Sequence, residues 1–180
     1  MAARCAWAGG EAMIRYHDEE WGKPVHEDGK LAEMLLLEGF QAGLSWAVVL
    51  NKREHFRAAF SGFDPNKIAM YDERDVERLL ANPGIVRNRL KIQAAIQNMR
   101  VFLRIQAEFG TFDRYLWGFA PDAPIIGGRE LICSSPLSDA VAKDLKKRGM
   151  RFMGTVTVYS YLQAIGIVND HDPLCDFKYR

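Results

Sequence analysis

The most regular pattern of hydrophobic and polar positions in the chain follows Arg87. Apolar side chains recur there close to the i, i+3, i+4, i+7 spacing of a helix with one buried stripe. These positions are Leu90, Ile92, Ala95, Ile96, Met99, Phe102 and Leu103, and the opposite face carries Arg89, Gln93, Gln97, Arg100 and Arg104. The pattern predicts one long amphipathic helix.

Shorter stretches of the chain have the same helical period. They cover residues 31–40, 46–60, 75–80, 140–145 and 156–167. Asp64-Pro65 and Ser138-Asp139 are typical helix N-caps, and five glycines stand where helices can end: Gly39, Gly62, Gly110, Gly149 and Gly166. Only residues 123–133 favour a loop with a short strand. The sequence therefore predicts an all-α fold.

A tight turn, Asn82-Pro83-Gly84-Ile85, precedes the long helix and follows a shorter one. Together they predict a helix-hairpin-helix unit over about residues 72–106. Pro83 fixes a backbone angle, Gly84 lets a partner approach the backbone closely, and the N-terminus of the second helix exposes N–H groups that suit a phosphate. Such turns also join helices in ordinary bundles, so the hairpin fits both a DNA-binding and a purely structural role.

Positive charge flanks this turn. Arg87, Arg89 and Lys91 follow it, and a second basic group comprises Lys143, Lys146, Lys147, Arg148 and Arg151. Both groups can grip a DNA backbone, although basic clusters are usually solvated faces. The whole chain has 24 Lys and Arg against 23 Asp and Glu, so affinity for nucleic acid has to come from local patches.

Length and composition are those of an ordinary folded protein. The 180 residues suffice for a buried core, and the 48% share of hydrophobic residues excludes a disordered chain. No repeat or linker divides residues 1–180, so we expect a single unit. The three cysteines cannot all pair, and the sequence has neither a secretory stretch nor an apolar run near the roughly 20 residues of a membrane span. We expect a soluble cytoplasmic protein with no membrane partner.

Two pairs of metal-ligand side chains stand at opposite ends of the chain. Cys5 and His17 lie near the N-terminus, whereas His171 and Cys175 lie four residues apart near the C-terminus. A thiolate and an imidazole from each end would complete the Cys2His2 set of a structural zinc ion and would order both tails. Alternatively, the cysteines are buried thiols and the histidines are a core and a surface residue. The spacing alone leaves both interpretations open.

Six segments, spread over nearly the whole chain, carry a resemblance to a known family. They are residues 4–7 (RCAW), 16–22 (YHDEEWG), 37–46 (LEGFQAGLSW), 52–54 (KRE), 146–149 (KKRG) and 166–171 (GIVNDH). In this order they resemble the 3-methyladenine DNA glycosylase I family, a zinc-containing branch of the helix-hairpin-helix DNA glycosylases. The resemblance implies the helix-hairpin-helix DNA glycosylase fold with one structural Zn2+. It also implies that Cys5, His17, His171 and Cys175 bind this ion and join a lobe of about residues 1–25 and 165–180.

The resemblance further implies a pocket for a damaged base that is flipped out of alkylated double-stranded DNA. Tyr16, Glu38 and Trp46 would form it, with Trp7 and Trp21 as further walls, although tryptophans at helical spacing are more often core residues. Met13 is expected beside the pocket and departs from the family pattern, in which an aromatic residue can stand there. Its thioether can still pack on a purine.

These residue types suit the chemistry that the resemblance implies. Methylation at N3 leaves adenine positively charged while it is attached to the sugar, so the electron-rich indole of Trp46 attracts it. The carboxylate of Glu38 can accept hydrogen bonds from the exocyclic amine and favours the cation. Glu38 follows the apolar run at 34–37, where a carboxylate usually needs a partner or a task. We therefore expect Glu38 to be the catalytic residue.

Contacts to the DNA are expected from two places. Leu44, after the flexible Gly43, would be the wedge that fills the space left by the base. The hairpin would contribute Gly84, Arg87 and Lys91 to the grip on the backbone.

The sequence also bears on how the glycosidic bond is cut. A cationic purine leaves readily, and residues 87–106 contain no Asp or Glu that would correspond to the catalytic Asp of many helix-hairpin-helix glycosylases. Since no lysine Schiff base is indicated either, we expect a monofunctional, monomeric enzyme that hydrolytically releases 3-methyladenine and leaves an abasic site.

Two other functions fit part of the sequence. A zinc-stabilised DNA-binding module without catalysis would need the hairpin and the basic patches, but no closed aromatic pocket around Glu38. A zinc hydrolase would need a metal position left open for water, and four protein ligands argue against it.

Overall fold

A computed structural model describes residues 2–128 and 130–179. Met1 and Arg180 of the expected terminal lobe, and Arg129 of the expected loop, lie outside the described residues. The helices are Glu11–Glu19 (α1), Asp28–Gln41 (α2), Trp46–Asn51 (α3), Arg53–Ala59 (α4), Pro65–Ala69 (α5), Glu73–Leu80 (α6), Arg89–Phe109 (α7), Phe112–Trp117 (α8), Pro136–Lys147 (α9) and Thr155–Ala164 (α10). The predicted helical fold is confirmed.

One short stretch of sheet accompanies the helices. Ile125–Ile126 (β1) runs parallel to Val168–Asn169 (β2), with Ile125 opposite Val168. This confirms the short strand expected within residues 123–133. The pairing brings the loop after β1 against the C-terminal segment of the chain.

The core is built around α2. Eight consecutive residues of this helix, 31–38, are buried, because α7, α8 and α10 all pack against it. The hydroxyl of Tyr161 in α10 donates a hydrogen bond to the carbonyl oxygen of Leu31 at 2.9 Å. A helix that is surrounded in this way is held by its buried area, and each large apolar side chain contributes about 1.5–3 kcal/mol. The helix that carries Glu38 is thus a rigid support.

The predicted helix starts are partly confirmed. Asp64 caps α5, since its side chain accepts a hydrogen bond from the N–H of Asn66. The prediction of Ser138 as an N-cap is wrong: Ser135 caps α9, and Ser138 completes the capping box from the third helical position. The helix starts earlier because Pro136, at its first position, is pre-organised for a helical backbone angle.

The single helix predicted over residues 46–60 is also wrong. The chain breaks at Lys52, where the backbone (φ −97°, ψ 2°) ends α3 and begins α4. A second error concerns Gly39, which lies inside α2 because the buried Phe40 continues the helix beyond it. The break at Lys52 and the continuation of α2 past Gly39 depend on packing against neighbouring helices. The local sequence pattern does not contain this information.

Three of the other glycines stand at helix ends as expected. Gly110 is the C-cap of α7, with φ 89°. Gly149 and Gly166 follow the C-caps of α9 and α10 and have the positive φ that favours glycine there. Gly62, in contrast, lies inside a 3-10 turn at Ser61–Phe63.

The two ends of the described chain lie side by side. The N–H of Asp176 donates to the carbonyl oxygen of Ala3 at 2.9 Å, and the N–H of Ala3 donates to a carboxylate oxygen of Asp176 at 2.8 Å. None of the helices within residues 2–128 and 130–179 is long and apolar enough to cross a membrane.

Candidate active site

A cavity of about 670 Å³ opens between α1, α2, α3 and the C-terminal segment. All the side chains expected at the base pocket line it: Trp7, Met13, Tyr16, Trp21, Glu38 and Trp46. The structure thus brings together residues that are up to 39 positions apart in the sequence. A concave, mostly apolar cavity with a few polar groups is the usual form of a small-molecule site.

Aromatic rings form much of the cavity wall. The ring centroids of Tyr16 and Trp46 lie 5.3 Å apart with an interplanar angle of 52°. Trp7 contacts Trp21 edge-on at 4.8 Å and lies 6.5 Å from Tyr16. The walls therefore offer ring faces and edges to a flat ligand.

Glu38 is the buried carboxyl of this cavity. It lies three residues before the end of α2, is 3% exposed, and its Oε2 atom has no hydrogen-bond partner among the described residues. Burial raises the pKa of Glu38 to about 8, because no cation offsets the loss of solvation. A carboxyl without a partner in a largely apolar cavity is costly for the fold, which marks it as a group held ready for a ligand.

Trp46 presents the second unsatisfied group. Its Nε1 atom is buried and has no acceptor among the described residues. Trp46 begins α3, directly after the turn that ends α2, so Trp46 and Glu38 reach the cavity from adjoining helices. One acceptor and one donor are thus left unpaired in the same cavity.

Tyr16 completes the polar set. Burial, and after it the nearby charge of Glu38, raise the pKa of Tyr16 well above its usual value. The phenol therefore stays neutral and can donate a hydrogen bond.

A buried group of metal-ligand side chains lies beside this cavity. The ligand atoms of Cys5, His17, His171 and Cys175 all lie within 4.8 Å of one another. Nδ1 of His171 is 3.5 Å from Sγ of Cys5 and 3.4 Å from Sγ of Cys175, and Nε2 of His17 is 3.5 Å from Sγ of Cys175. The group can hold a metal ion.

The ring nitrogens that face away from this group have partners of their own. Nδ1 of His17 lies 2.8 Å from a carboxylate oxygen of Asp18, which also forms an ion pair with Arg4. Nε2 of His171 lies 3.0 Å from the carbonyl oxygen of Trp21. Such outer contacts fix the tautomer and ring orientation of a metal-binding histidine.

The same histidines support the cavity wall. The ring of His17 is 5.2 Å from Trp7, and the ring of His171 is 4.7 Å from Trp21. The metal-ligand group and two walls of the cavity are therefore one packed unit.

Comparison with known proteins decides the family. Residues 7–179 match the model of the family described as methyladenine glycosylase. The chain belongs to the methyladenine glycosylase family. Its relative from Escherichia coli (strain K12), DNA-3-methyladenine glycosylase 1, is 47% identical over 173 residues, which are 93% of this chain and 92% of the relative.

Solved structures of the methyladenine glycosylase family agree in fold. A crystal structure of 3-methyladenine DNA glycosylase I matches with a TM-score of 0.93 at 49% identity, over 97% of this chain and 98% of that one. The Staphylococcus aureus enzyme, described for its recognition of 3-methyladenine, matches with a TM-score of 0.93 at 34% identity, over 98% and 97% of the two chains.

The residues of this methyladenine glycosylase that are expected to contact DNA differ in how accessible they are. Arg87 is exposed after the hairpin turn, and Gly43, with φ 76°, is exposed beside the half-buried Leu44. A Cβ atom on Gly84 would come within 2.9 Å of the ring of His55, so the lack of a side chain at Gly84 is already required by packing inside the protein.

The structure places Lys91, which was expected to contact DNA, in a largely buried position. Lys91 is only 8% exposed, and its Nζ atom donates to the carbonyl oxygens of Phe40 and Ala42. Arg89 is likewise engaged, in ion pairs with Glu73 and Glu77. The sequence does not reveal these contacts, because a buried lysine near the start of a helix has the same local pattern as an exposed lysine.

Other cavity residues of this methyladenine glycosylase were not singled out in the sequence. Gln41, Gln163 and Asp170 line the cavity with polar atoms, and the carboxylate of Asp170 accepts hydrogen bonds from Tyr159 and Gln163. Residues 130–132, after β1, close another side. Asp170 lies in the segment at 166–171 that carries the family resemblance, and this could have indicated its place in the cavity. No sequence pattern indicates that residues 130–132 line the cavity.

Proposed function

We propose that this chain is a monofunctional DNA glycosylase that flips 3-methyladenine out of alkylated double-stranded DNA and excises it. One observation supports this most directly: a cavity walled by aromatic rings contains the unpaired carboxyl of Glu38 and the unpaired indole N–H of Trp46. A methylated adenine matches both, since it offers an amine to the carboxyl and ring nitrogens to a donor. The flat rings of Tyr16 and Trp46 suit a purine.

Charge provides the selectivity for the damaged base. With a pKa of about 8, Glu38 carries a proton in the free protein at neutral pH, since its burial penalises the anion. A cationic base that enters the cavity offsets this penalty and favours the carboxylate. Neutral adenine does not, and it costs more to extract because it stacks and pairs normally.

Bond cleavage requires little from the protein once the cationic base is held. The C1′–N9 bond breaks with its electron pair moving onto the purine, which leaves as neutral 3-methyladenine. Water then adds to C1′ of the oxocarbenium-like sugar and loses a proton to solvent, which gives an abasic site. Glu38 retains the base through charge-assisted hydrogen bonds during this step.

A covalent lysine pathway does not fit this geometry. No lysine is among the described residues that line the cavity, and the amine of Lys91 lies against the backbone of Phe40 and Ala42. The strand should therefore remain intact after base release.

We further infer that Cys5, His17, His171 and Cys175 hold one Zn2+. Bond lengths of about 2.3 Å to sulfur and 2.0–2.1 Å to nitrogen place N and S about 3.6 Å apart around a tetrahedral zinc ion. The separations of 3.4–3.5 Å between the ring nitrogens and sulfurs agree with this. Burial raises the pKa of Cys5 to about 12, so a thiolate at this position calls for a cation beside it.

The zinc ion would supply folding stability to the terminal segments. Cys5, His17, His171 and Cys175 would hold the ion with four protein ligands, as in structural zinc sites, and such a site would leave no position for water or substrate. Its ligands His17 and His171 pack on Trp7 and Trp21, so the site supports the helix-hairpin-helix glycosylase unit at the cavity wall.

We assign the contacts with DNA to residues around the cavity and the hairpin. Arg87 would pair with a phosphate, Gly84 would let the strand pass close to the hairpin, and Gly43 with Leu44 would occupy the gap left by the flipped base. The protein would act as a monomer in the cytoplasm, where its thiols stay reduced. Size-exclusion chromatography with light scattering tests the monomer.

Base release from methylated DNA tests the proposed function. Duplex DNA treated with a methylating agent is incubated with the protein, and the freed bases are separated by chromatography while strand integrity is followed on a denaturing gel. Free 3-methyladenine from unbroken strands is expected. Binding of the duplex without base release would instead favour the non-catalytic DNA-binding module.

A further inference from the structure

A buried lysine joins the hairpin to the end of the helix that carries Glu38. Lys91 lies in the first turn of α7, and its Nζ atom donates to the carbonyl oxygen of Phe40 at 2.9 Å and to that of Ala42. These acceptors are 51 and 49 residues away in the sequence. The contact is a link between two elements that the local sequence does not connect.

The C-terminus of α2 needs such a partner. The last carbonyl groups of a helix have no intrahelical donor and carry partial negative charge. The last turn of α2 contains no basic residue of its own, so the cation comes from α7. Burial lowers the pKa of Lys91, but two charge-assisted hydrogen bonds favour the ammonium form.

The segment held in this way is the turn that carries Leu44. Gly43 bends the chain with φ 76°, and the N–H of Leu44 donates to the carbonyl oxygen of Gln41 at 2.7 Å. The side chain of Gln41 returns a hydrogen bond to the carbonyl oxygen of Leu44 at 3.2 Å. The turn is therefore tied to α2 by Gln41 and to α7 by Lys91.

The other end of Lys91 is fixed at the hairpin. Its backbone N–H donates to the side chain of Asn88, the N-cap of α7, at 3.0 Å. Asn88 immediately follows Arg87 at the exit of the hairpin turn. One residue thus contacts both the hairpin exit and the turn between the helices of Glu38 and Trp46.

We propose that Lys91 is a positioning residue that couples the grip of the hairpin on DNA to the placement of the Ala42–Ser45 turn for base extrusion. This inference rests on the proposed glycosylase function. DNA bound at the hairpin then orders the turn without any direct contact between Lys91 and a phosphate. Binding of the free base does not depend on the link, because Lys91 does not line the cavity.

The test compares wild type with Lys91→Met, which keeps the length of the side chain and removes its donors. Three quantities are measured: excision of 3-methyladenine from methylated DNA, affinity for free 3-methyladenine by tryptophan fluorescence, and the salt dependence of binding to a duplex with an abasic-site analogue. We expect excision to fall about 10- to 100-fold, as for other small misplacements. Free-base affinity should stay within about twofold, and the salt slope should not change.

A fluorescent 2-aminopurine next to the abasic-site analogue reports insertion of the turn into the duplex. Its signal should be weaker with Lys91→Met than with wild type. Lys91→Arg keeps the charge and the N–H donors and should lie closer to wild type. Val141→Ala, which removes buried side-chain volume from α9, controls for a general loss of stability and should leave the 2-aminopurine signal unchanged.

Several results would overturn the inference. They are excision by Lys91→Met within twofold of wild type, an equal loss of free-base affinity and excision, or a salt slope reduced by about one, which would make Lys91 a phosphate contact. Failure of wild type to release any base would overturn the proposed function instead. The 2-aminopurine comparison would still decide the role of Lys91.

Discussion

Glu38 and Trp46 hold the two buried polar side-chain atoms that lack a hydrogen-bond partner within the described part of the chain, and both residues line the same cavity. Burial of a polar atom without a partner costs about 1–3 kcal/mol, so a fold retains it where a ligand will pair with it. Under the proposed function, the protein gives up stability at this point in order to bind a base.

The buried carboxyl makes the stability of the protein depend on pH in a defined direction. The pKa of Glu38 is raised from 4.5 to about 8, so between these values the folded protein keeps a proton that the unfolded chain loses. The stability contributed by this proton is fully present below pH 4.5 and is lost as the pH rises through 8. Each pH unit in this window lowers the free energy of unfolding by up to about 1.4 kcal/mol.

Glu38→Gln removes this titration and should stabilise the protein at high pH. Urea unfolding of both proteins at pH 5 and pH 8 gives the comparison, with zinc present throughout. From pH 5 to pH 8, the free energy of unfolding of the variant should rise relative to that of wild type by about 2–4 kcal/mol. An equal difference at both pH values would show that Glu38 titrates normally.

The indole N–H of Trp46 should contribute to base recognition beyond the ring itself. Trp46→Phe keeps an aromatic face but loses the donor and weakens the attraction for a cation, which together are worth about 1–2 kcal/mol. We expect excision of 3-methyladenine to fall about tenfold. The matched control is Trp117→Phe, since the indole of Trp117 donates to the carbonyl oxygen of Val25 outside the cavity. Equal losses in both variants would remove the specific role of Trp46.

Asp18 should tune the metal site without touching the ion. Its carboxylate lies 2.8 Å from Nδ1 of His17 and is oriented by Arg4. Asp18→Asn is expected to weaken zinc affinity about 10- to 100-fold. Competition with a chromogenic chelator measures this affinity. At saturating zinc the variant should excise the base at a nearly normal rate, and a persistent loss would place Asp18 in the reaction itself.

Two neighbouring arginines should differ in their effect on DNA binding. Arg87 is exposed, whereas Arg89 is paired with Glu73 and Glu77. Arg87→Ala should weaken binding to any duplex and reduce the salt slope by about one, while Arg89→Ala should change neither by much. Titrations at several salt concentrations give both slopes. The assignment of Arg87 to a phosphate fails if the two variants behave alike.

The sequence predicts most of the fold because the apolar residues of its helices recur with a clear helical period and capping residues mark several helix ends. The long helix after the hairpin is found from its apolar stripe, and the N-cap at Asp64 from its residue type. The break at Lys52 and the continuation of α2 past Gly39 are set by packing against other helices. No local pattern contains that information.

The candidate site was predictable to the extent that single residues carry its chemistry. Glu38 stands out as a carboxylate in an apolar run, and the two metal-ligand pairs stand out by type. Lys91 shows the limit of this approach, since the same lysine can reach solvent or a helix end. Only the placement of α7 against α2 decides between these, and that placement is a tertiary property.

We propose that the Glu38 carboxyl in the aromatic cavity recognises the positive charge of the damaged base. This role is tested most directly by the single-turnover rate of 3-methyladenine release from methylated duplex DNA, with wild type and Glu38→Gln compared at equal, saturating protein. Loss of a charge-assisted contact predicts a rate about 10- to 100-fold lower for Glu38→Gln, with unchanged affinity for the duplex. Release of 3-methyladenine by Glu38→Gln at the wild-type rate would contradict the claim.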